Sequence, residues 1–249
     1  MLTMPKKAQV HVVLWKWTQP NERVSYTAEH VNIVASMLAR NITIPHRILC
    51  ITDSPAGITE CETAYLWKDF ENLANATKAT LPSCYRRLKL YDYKTQQDLG
   101  IDKGDRILGL DLDSLVCGNI DQMLQMEGRF VGWEMKGSHH SKVFNGSFQM
   151  FTSGDLQEIW SKFDPNVSPK ECYRKGWLGS DQSWLSMNLI GKEGSASVGY
   201  PEVVSYPLLG RLHGIRSLKT RIMFFHGSVK PWFPEALKIS PFIDRYWRL

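Results

Sequence analysis

Val10 to Trp15 reads VHVVLW, an almost unbroken run of apolar and β-branched residues. Such a run fits a strand buried on both faces. Between Tyr26 and Arg40 the apolar residues Val31, Val34 and Leu38 recur at helical spacing. Pro45 breaks that pattern, and Arg47 to Thr52 (RILCIT) forms a second buried run, closed by the turn residues Asp53-Ser54-Pro55. Two buried strands joined through a helix imply a parallel pair, because a right-handed crossover returns the chain to the same end of the sheet. This opening commits the chain to an α/β fold.

The pattern continues. Leu81 to Tyr93 reads as a helix after Pro82, and Arg106 to Leu110 (RILGL) as a third buried strand. Phe130 to Glu134 and Ser147 to Phe151 are short strand candidates. Asp155 to Phe163 is a helix with Ser153 as its cap, and Ser180 to Met187 is another, led by Ser180 and Asp181. Arg221 to Phe225 reads as a last strand. The tail holds Pro231, Pro234 and Pro241 and is expected to wrap the surface.

Composition narrows the function classes. The chain has 249 residues, 43% hydrophobic and 22% charged, which excludes a disordered or collagen-like chain. No stretch of about 18 apolar residues offers a membrane span. Residues 1–14 carry Lys6 and Lys7 but no small-residue cleavage site, so no secretory leader is expected. Five cysteines without a CxxC point to neither a disulfide framework nor a zinc site, and a reducing cytoplasm fits. A net charge of +5 suits a polyanionic partner or a phosphorylated substrate without choosing between them. Nine tryptophans suit sugar or base binding, though large core residues are the commoner use.

Four constellations carry chemistry. Asp111-Leu112-Asp113 directly follows the RILGL strand. Residues leaving the carboxyl end of a parallel strand enter the crevice where ligands bind. Two carboxylates two positions apart in an extended segment share a side. They either hold Mg2+ or Mn2+, which would neutralise a diphosphate, or form a solvated turn. The second is Phe225-His226-Gly227-Ser228-Val229-Lys230-Pro231-Trp232. There a histidine, a close-approach glycine and a lysine form either a phosphate loop or an incidental Gly-Pro loop. The third, Gly179-Ser180-Asp181-Gln182, places an acid at a helix start, where capping alone is a sufficient reason for it. The fourth, Phe144-Asn145-Gly146-Ser147, reads as a polar turn before a strand. His139-His140 reads as a loop pair. No dinucleotide fingerprint, Walker loop or Gly-x-Ser-x-Gly is present.

In this order the segments resemble the nucleotide-sugar glycosyltransferases of the GT-A fold, most like family eight, the glycogenin and lipopolysaccharide galactosyltransferase group. LGLDLDSLV is similar to that family's strand ending in Asp-x-Asp, and FNGSFQMF to its Phe-Asn-Ser-Gly-Val-Met strand. GSDQSWL resembles its Asp-Gln helix start, FHGSVKPW its Gly-x-x-Lys-Pro-Trp signature, and Tyr85-Arg86-Arg87-Leu88 its Tyr-x-Arg-Leu segment. The matches run from residue 10 to 232. The resemblance implies a single domain over 1–249, with a Rossmann-like, mostly parallel central sheet flanked by helices and a surface-packed tail at 233–249.

It also implies Mn2+ or Mg2+ and a nucleoside diphosphate sugar, usually a UDP-sugar. Asp111, Asp113 and His226 would be the metal ligands, with Asp111 also near the ribose. Lys230 and Gly227 would meet the diphosphate, and Asp53 the uracil or ribose. Arg87, Glu134, Asn145, Asp181 and Gln182 fall where the family binds the donor sugar. Three departures stand out. The family's metal histidine lies three residues before the glycine, where this chain has Phe224, and Glu134 replaces the usual aspartate. The spacing from Arg87 to Asp111 is longer than the family's, which leaves Arg86 as the alternative to Arg87.

The implied reaction is sugar transfer to an acceptor hydroxyl with retention, Asp181 acting as nucleophile or stabilising positive charge at the sugar carbon. The acceptor is a saccharide, a protein or a hydroxylated base in viral DNA. Arg211, Arg216, Lys219 and Arg221 form a basic cluster that suits the last, or simply a solvated face. Two other classes remain: a non-catalytic sugar or nucleic-acid binding module, and a metal-dependent nucleotidyltransferase or phosphohydrolase.

Overall fold

The strand–helix–strand opening is present as β1 (Val10–Lys16), α1 (Ala28–Asn41) and β2 (His46–Thr52), with β1 and β2 parallel. The computed structural model describes residues 9–18, 24–74, 83–134, 144–206 and 219–249. After β2 come β3 (Glu62–Tyr65), a 3-10 helix (Tyr85–Tyr91) and α2 (Tyr93–Asp98). Next are β4 (Arg106–Leu110), β5 (Ser114–Val116), α3 (Asp121–Leu124), β6 (Phe130–Glu134) and β7 (Phe144–Thr152). Helices α4 (Gln157–Ser161), α5 (Ser168–Arg174) and α6 (Asp181–Leu189) follow, then strands β8 (Ser195–Val198), β9 (Val203–Ser205) and β10 (Ile222–Phe224). The chain ends in α7 (Pro234–Ile239) and α8 (Ile243–Tyr246).

Seven strands form one sheet in the order β3-β2-β1-β4-β7-β6-β8, and β5-β10-β9 form a small second sheet. Only β7 runs against the others in the large sheet, since it is antiparallel to both β4 and β6 while every other pair is parallel. The two faces bury separate clusters. One gathers Val12, Leu14, Leu108 and Leu110 with Val34 and Leu38 of α1 and with the second sheet. The other gathers Val13, Ile51 and Phe151 with the 3-10 helix and Trp184 and Leu185 of α6. This is the expected mostly parallel sheet with helices on both faces.

Three local expectations need correction. The helix from Leu81 to Tyr93 is a 3-10 helix followed by a separate α2, and Leu81 and Pro82 lie outside the described residues. Asp92 causes the break: its carboxylate accepts the Thr95 N–H at 3.2 Å and starts a new helix. Ser153 does not cap α4. Its hydroxyl donates to Gln96 Oε1 at 2.7 Å and its N–H to Asp105 O at 2.8 Å, so the helix begins later, at Gln157. Asn145-Gly146-Ser147 is not a turn but part of β7, which starts at Phe144 and shifts register opposite Gly132 and Trp133.

The tail packs against α1. Ala236 and Ile243 are fully buried in the α1-side cluster. Arg40 of α1 donates to the carbonyls of Tyr246 at 3.3 Å and Arg248 at 2.8 Å. His30 stacks on Trp232 with centroids 4.0 Å apart, and Trp247 packs on Trp232 at 5.2 Å. His30 also closes the start of α1, since its Nδ1 accepts the Thr27 N–H at 3.0 Å.

Burial pushes the His30 pKa below its ordinary value, and burial followed by the Lys230 charge does the same to His226. An unfolded histidine titrates near ~6.5. Below that pH the unfolded chain therefore binds more protons than the native one, and stability present above it is lost as pH falls through the folded pKa values. The melting temperature is expected to fall between about pH 7.5 and 5.5. His30→Gln, which keeps an acceptor at the helix start, should fall less. An equal fall in thermal unfolding of the variant would contradict the assignment.

Candidate active site

The topology brings the singled-out residues to one end of the large sheet. Asp53 and Asp111 follow the carboxyl ends of β2 and β4, Glu134 ends β6, and Asn145 to Ser147 open β7, which runs the other way. The ladder continues past β4: Asp111 N–H donates to Ser147 O at 3.1 Å. This holds Asp111 against β7 while its side chain turns toward the crevice.

Arg87 from the 3-10 helix ties three elements together. Its Nη1 donates to Asp111 Oδ1 at 2.5 Å and to Gly146 O at 3.1 Å, and its Nε lies 3.1 Å from Asp181 Oδ2. Ser147 Oγ donates to the other Asp111 oxygen at 2.8 Å. Burial alone would lower the Arg87 pKa, but Asp111 and Asp181 reverse this and hold it well above its ordinary value. Asp181 opens α6 and is only 2% exposed. Burial raises its pKa, while the Arg87 charge and a hydrogen bond from Gln149 Nε2 at 3.0 Å oppose the rise. Ser180 Oγ donates to its second oxygen at 3.3 Å. Cys84 borders the same charges, and burial pushes its thiol up to about 11.

Asp113 is buried, so the solvated-turn alternative does not hold for it. Its Oδ2 accepts from Lys230 Nζ and, at 3.1 Å, from Tyr26 Oη. Lys230 also donates to Phe225 O at 3.0 Å. Burial and then the Asp111 charge raise the Asp113 pKa against the pull of Lys230. Its Oδ1 is buried without a hydrogen-bond partner. Three carboxylates thus share two cations, Arg87 and Lys230, which leaves one negative charge in excess. A buried, unpartnered carboxylate oxygen in such a place fits a hard cation bound through one or two carboxylates and completed by phosphate oxygens.

His226 does not join that pair as a formed site. Its Nε2 pairs with Ser205 Oγ at 2.6 Å, and its ring lies 5.9 Å from Trp133. Phe224, at the position where the resembled family has its histidine, is fully buried and stacks on Trp133 at 4.7 Å. Among the described residues no three His, Cys, Asp or Glu side chains are grouped to hold a metal ion.

Gly227 has φ +107 with open space where a Cβ would stand, so its backbone is approachable from solvent. Asp53 is exposed. It accepts the Thr18 N–H at 2.9 Å, and Lys16 Nζ lies 4.0 Å from its other oxygen. Asn145 Oδ1 accepts the Ser147 N–H at 2.9 Å, and Gln182 Oε1 accepts the Gly146 N–H at 3.3 Å. Asn145 and Gln182 therefore fix the start of β7 where Gly146 passes beside Asp181. Glu134 sits opposite Phe144 at the end of β6.

Sequence reasoning missed Tyr26 and Gln149 and gave Ser147 no role. The Asp-x-Asp neighbourhood offered no local signal for them, because each reaches its carboxylate from a distant segment. Arg211, Arg216 and His139-His140 lie outside the described residues, and of the basic cluster Arg221 packs against Gly118. No disulfide joins the five cysteines. No helix among the described residues is long and apolar enough to cross a membrane.

No known sequence family matches the chain, and no curated protein matches it by sequence. Solved structures do. The galactosyltransferase LgtC, crystallised with donor and acceptor sugar analogs, superposes with a TM-score of 0.60 over 96% of this chain and 97% of LgtC, at 14% identity. An active-site mutant of LgtC gives the same values. The glycosyltransferase GlyE of Streptococcus pneumoniae TIGR4 gives 0.52 over 92% of this chain and 57% of GlyE, at 13% identity. Asp111 and Asp113 follow the carboxyl end of β4, and the chain has the GT-A type α/β fold seen in the glycosyltransferases LgtC and GlyE.

Proposed function

We propose that the protein is a retaining glycosyltransferase that takes a sugar from a nucleoside diphosphate sugar, a UDP-sugar by the resemblance of its motifs. One observation carries the reading: at the ligand end of a glycosyltransferase fold, Asp111, Asp113 and Asp181 share Arg87 and Lys230, and one buried carboxylate oxygen is left without a partner. Asp111 and Asp113 would hold Mn2+ or Mg2+, with His226 as a further ligand only after leaving Ser205. A bound cation would supply positive charge against a diphosphate leaving group.

The rest falls to the chain's own groups. Lys230, fixed by Asp113 and Phe225 O, adds positive charge where the leaving phosphate gains negative charge. Gly227 admits the phosphate to the backbone. Arg87 orients Asp111 and Asp181 together. The bond from the sugar carbon to the β-phosphate oxygen breaks and a bond to the acceptor oxygen forms, the acceptor proton passing to the leaving phosphate on the same face. The Asp181 carboxylate faces the positive charge that develops at the sugar carbon. Gln182, Asn145 and Glu134 would position the sugar, and Asp53 the base or ribose. The acceptor is a saccharide or protein hydroxyl; no observation among the described residues favours nucleic acid.

UDP with Mn2+ is expected to raise the melting temperature, because a ligand that binds only the native state adds about 2.7 kcal/mol at a hundredfold excess over Kd. For a chain of this length that is a shift of roughly 5–10 °C. EDTA should remove most of it. An equal shift from UDP in EDTA would contradict the Asp111–Asp113 cation site.

A further inference from the structure

Gln149 stands out on β7. Strand neighbours two apart share a face, so Ser147, Gln149 and Phe151 point the same way. That face packs on the 3-10 helix and α6 through apolar side chains, Phe151 stacking on Tyr91 with centroids 4.3 Å apart. A buried amide in such a layer is costly unless its polar atoms are satisfied. At 6% exposure Gln149 is satisfied in a specific way. Tyr91 Oη lies 3.1 Å from its Oε1, and its Nε2 donates to Asp181 Oδ2 at 3.0 Å and to Gly146 O at 3.1 Å.

The amide orientation follows from the partners. A carbonyl and a carboxylate oxygen only accept, so the end facing Gly146 O and Asp181 must be the NH2 group, which has two donors for two acceptors. The carbonyl end then faces Tyr91, whose hydroxyl donates. Tyr91 is 1% exposed and cannot turn away, being stacked on Phe151. The chain Tyr91–Gln149–Asp181 thus has one arrangement. Asp181 Oδ2 is gripped from β7 by Gln149 and from the 3-10 helix by Arg87. Gly146 leaves room beside it: a Cβ there would sit 3.5 Å from both Asp181 oxygens.

We propose that Tyr91 and Gln149 are positioning residues, which aim the Asp181 carboxylate at the reacting sugar carbon through the Gln149 amide. Neither touches the donor. The inference rests on the transferase reading and adds to it two residues that act only through Asp181. An apolar side chain of the same size at position 149 would fill the space equally well, so the amide is explained by what it holds.

The test uses the whole chain, with Gln149→Met, which keeps the volume and removes the amide, and Tyr91→Phe, which removes one oxygen. Release of UDP from UDP-galactose, UDP-glucose and UDP-N-acetylglucosamine is followed with Mn2+, and the UDP Kd is measured by calorimetry. An interaction that matters in the transition state and not in binding lowers kcat and spares KM. Gln149→Met should lose roughly tenfold or more in kcat with KM and the UDP Kd within about twofold, and Tyr91→Phe should lose less in the same sense. Wild-type kcat in both variants overturns the proposal, as does a loss that falls on UDP binding as much as on kcat. If Gln149→Met does not fold, Tyr91→Phe decides alone. A folded wild-type protein that turns over none of the donors overturns the transferase reading itself, a result visible before any variant is compared.

Discussion

Arg87→Met is expected to lower the unfolding free energy by about 3–5 kcal/mol, the usual consequence of removing one partner of a buried ion pair. Arg87 is almost fully buried and answers both Asp111 and Asp181. Methionine fills much of the space, so packing loss is small and the effect is electrostatic. Asp181, already pushed toward its neutral form by burial, would lose its main counter-charge. The double variant Arg87→Met, Asp181→Asn should therefore recover part of the loss, since the unpaired charge goes with its partner. Urea unfolding monitored by tryptophan fluorescence reads both values. A single variant within about 0.5 kcal/mol of wild type, the range of an ordinary surface change, would show that the pairing carries no weight.

Asp113→Asn should reduce transfer by roughly a hundredfold or more, because it removes one of the two carboxylate charges offered to a cation. The structure adds a second consequence. Asp113 is also the counter-charge of buried Lys230. Asparagine takes away that ammonium's counter-charge and leaves it against the Phe225 carbonyl, so stability should fall by about 1–3 kcal/mol as well. Activity is then to be measured well below the lowered melting temperature. An active Asp113→Asn protein that still responds to Mn2+ would place the cation elsewhere.

The sheet was legible because buried parallel strands leave long apolar runs. Arg106 to Leu110 was read with its observed bounds, and VHVVLW and RILCIT to within one residue. Short strands such as β3, β5 and β9 were not legible. Three or four residues show no period, and β9 and β5 exist because β10 pairs with both. The carboxylates Asp111, Asp113 and Asp181 were visible from strand ends and a helix start. Their pairings were not: Tyr26 and Lys230 reach Asp113 from opposite parts of the chain, and Gln149 sits between Phe148 and Met150 in a strand whose sequence does not point to Asp181. His226 was legible as a residue, but its hydrogen-bond partner was not. Its spacing put it near the cation, while its ring is held by Ser205, on the neighbouring strand.

Mass spectrometry of UDP and free sugar released from a panel of UDP-sugars tests the central claim most directly, with Mn2+, with EDTA and with Asp113→Asn beside the wild type. A cation-dependent transferase releases UDP from at least one donor with Mn2+, loses that release in EDTA, and works at least about a hundredfold more slowly as the variant. Folded wild-type protein that releases no UDP from any donor with Mn2+ or Mg2+, or that releases it equally fast in EDTA and in Asp113→Asn, would contradict that claim.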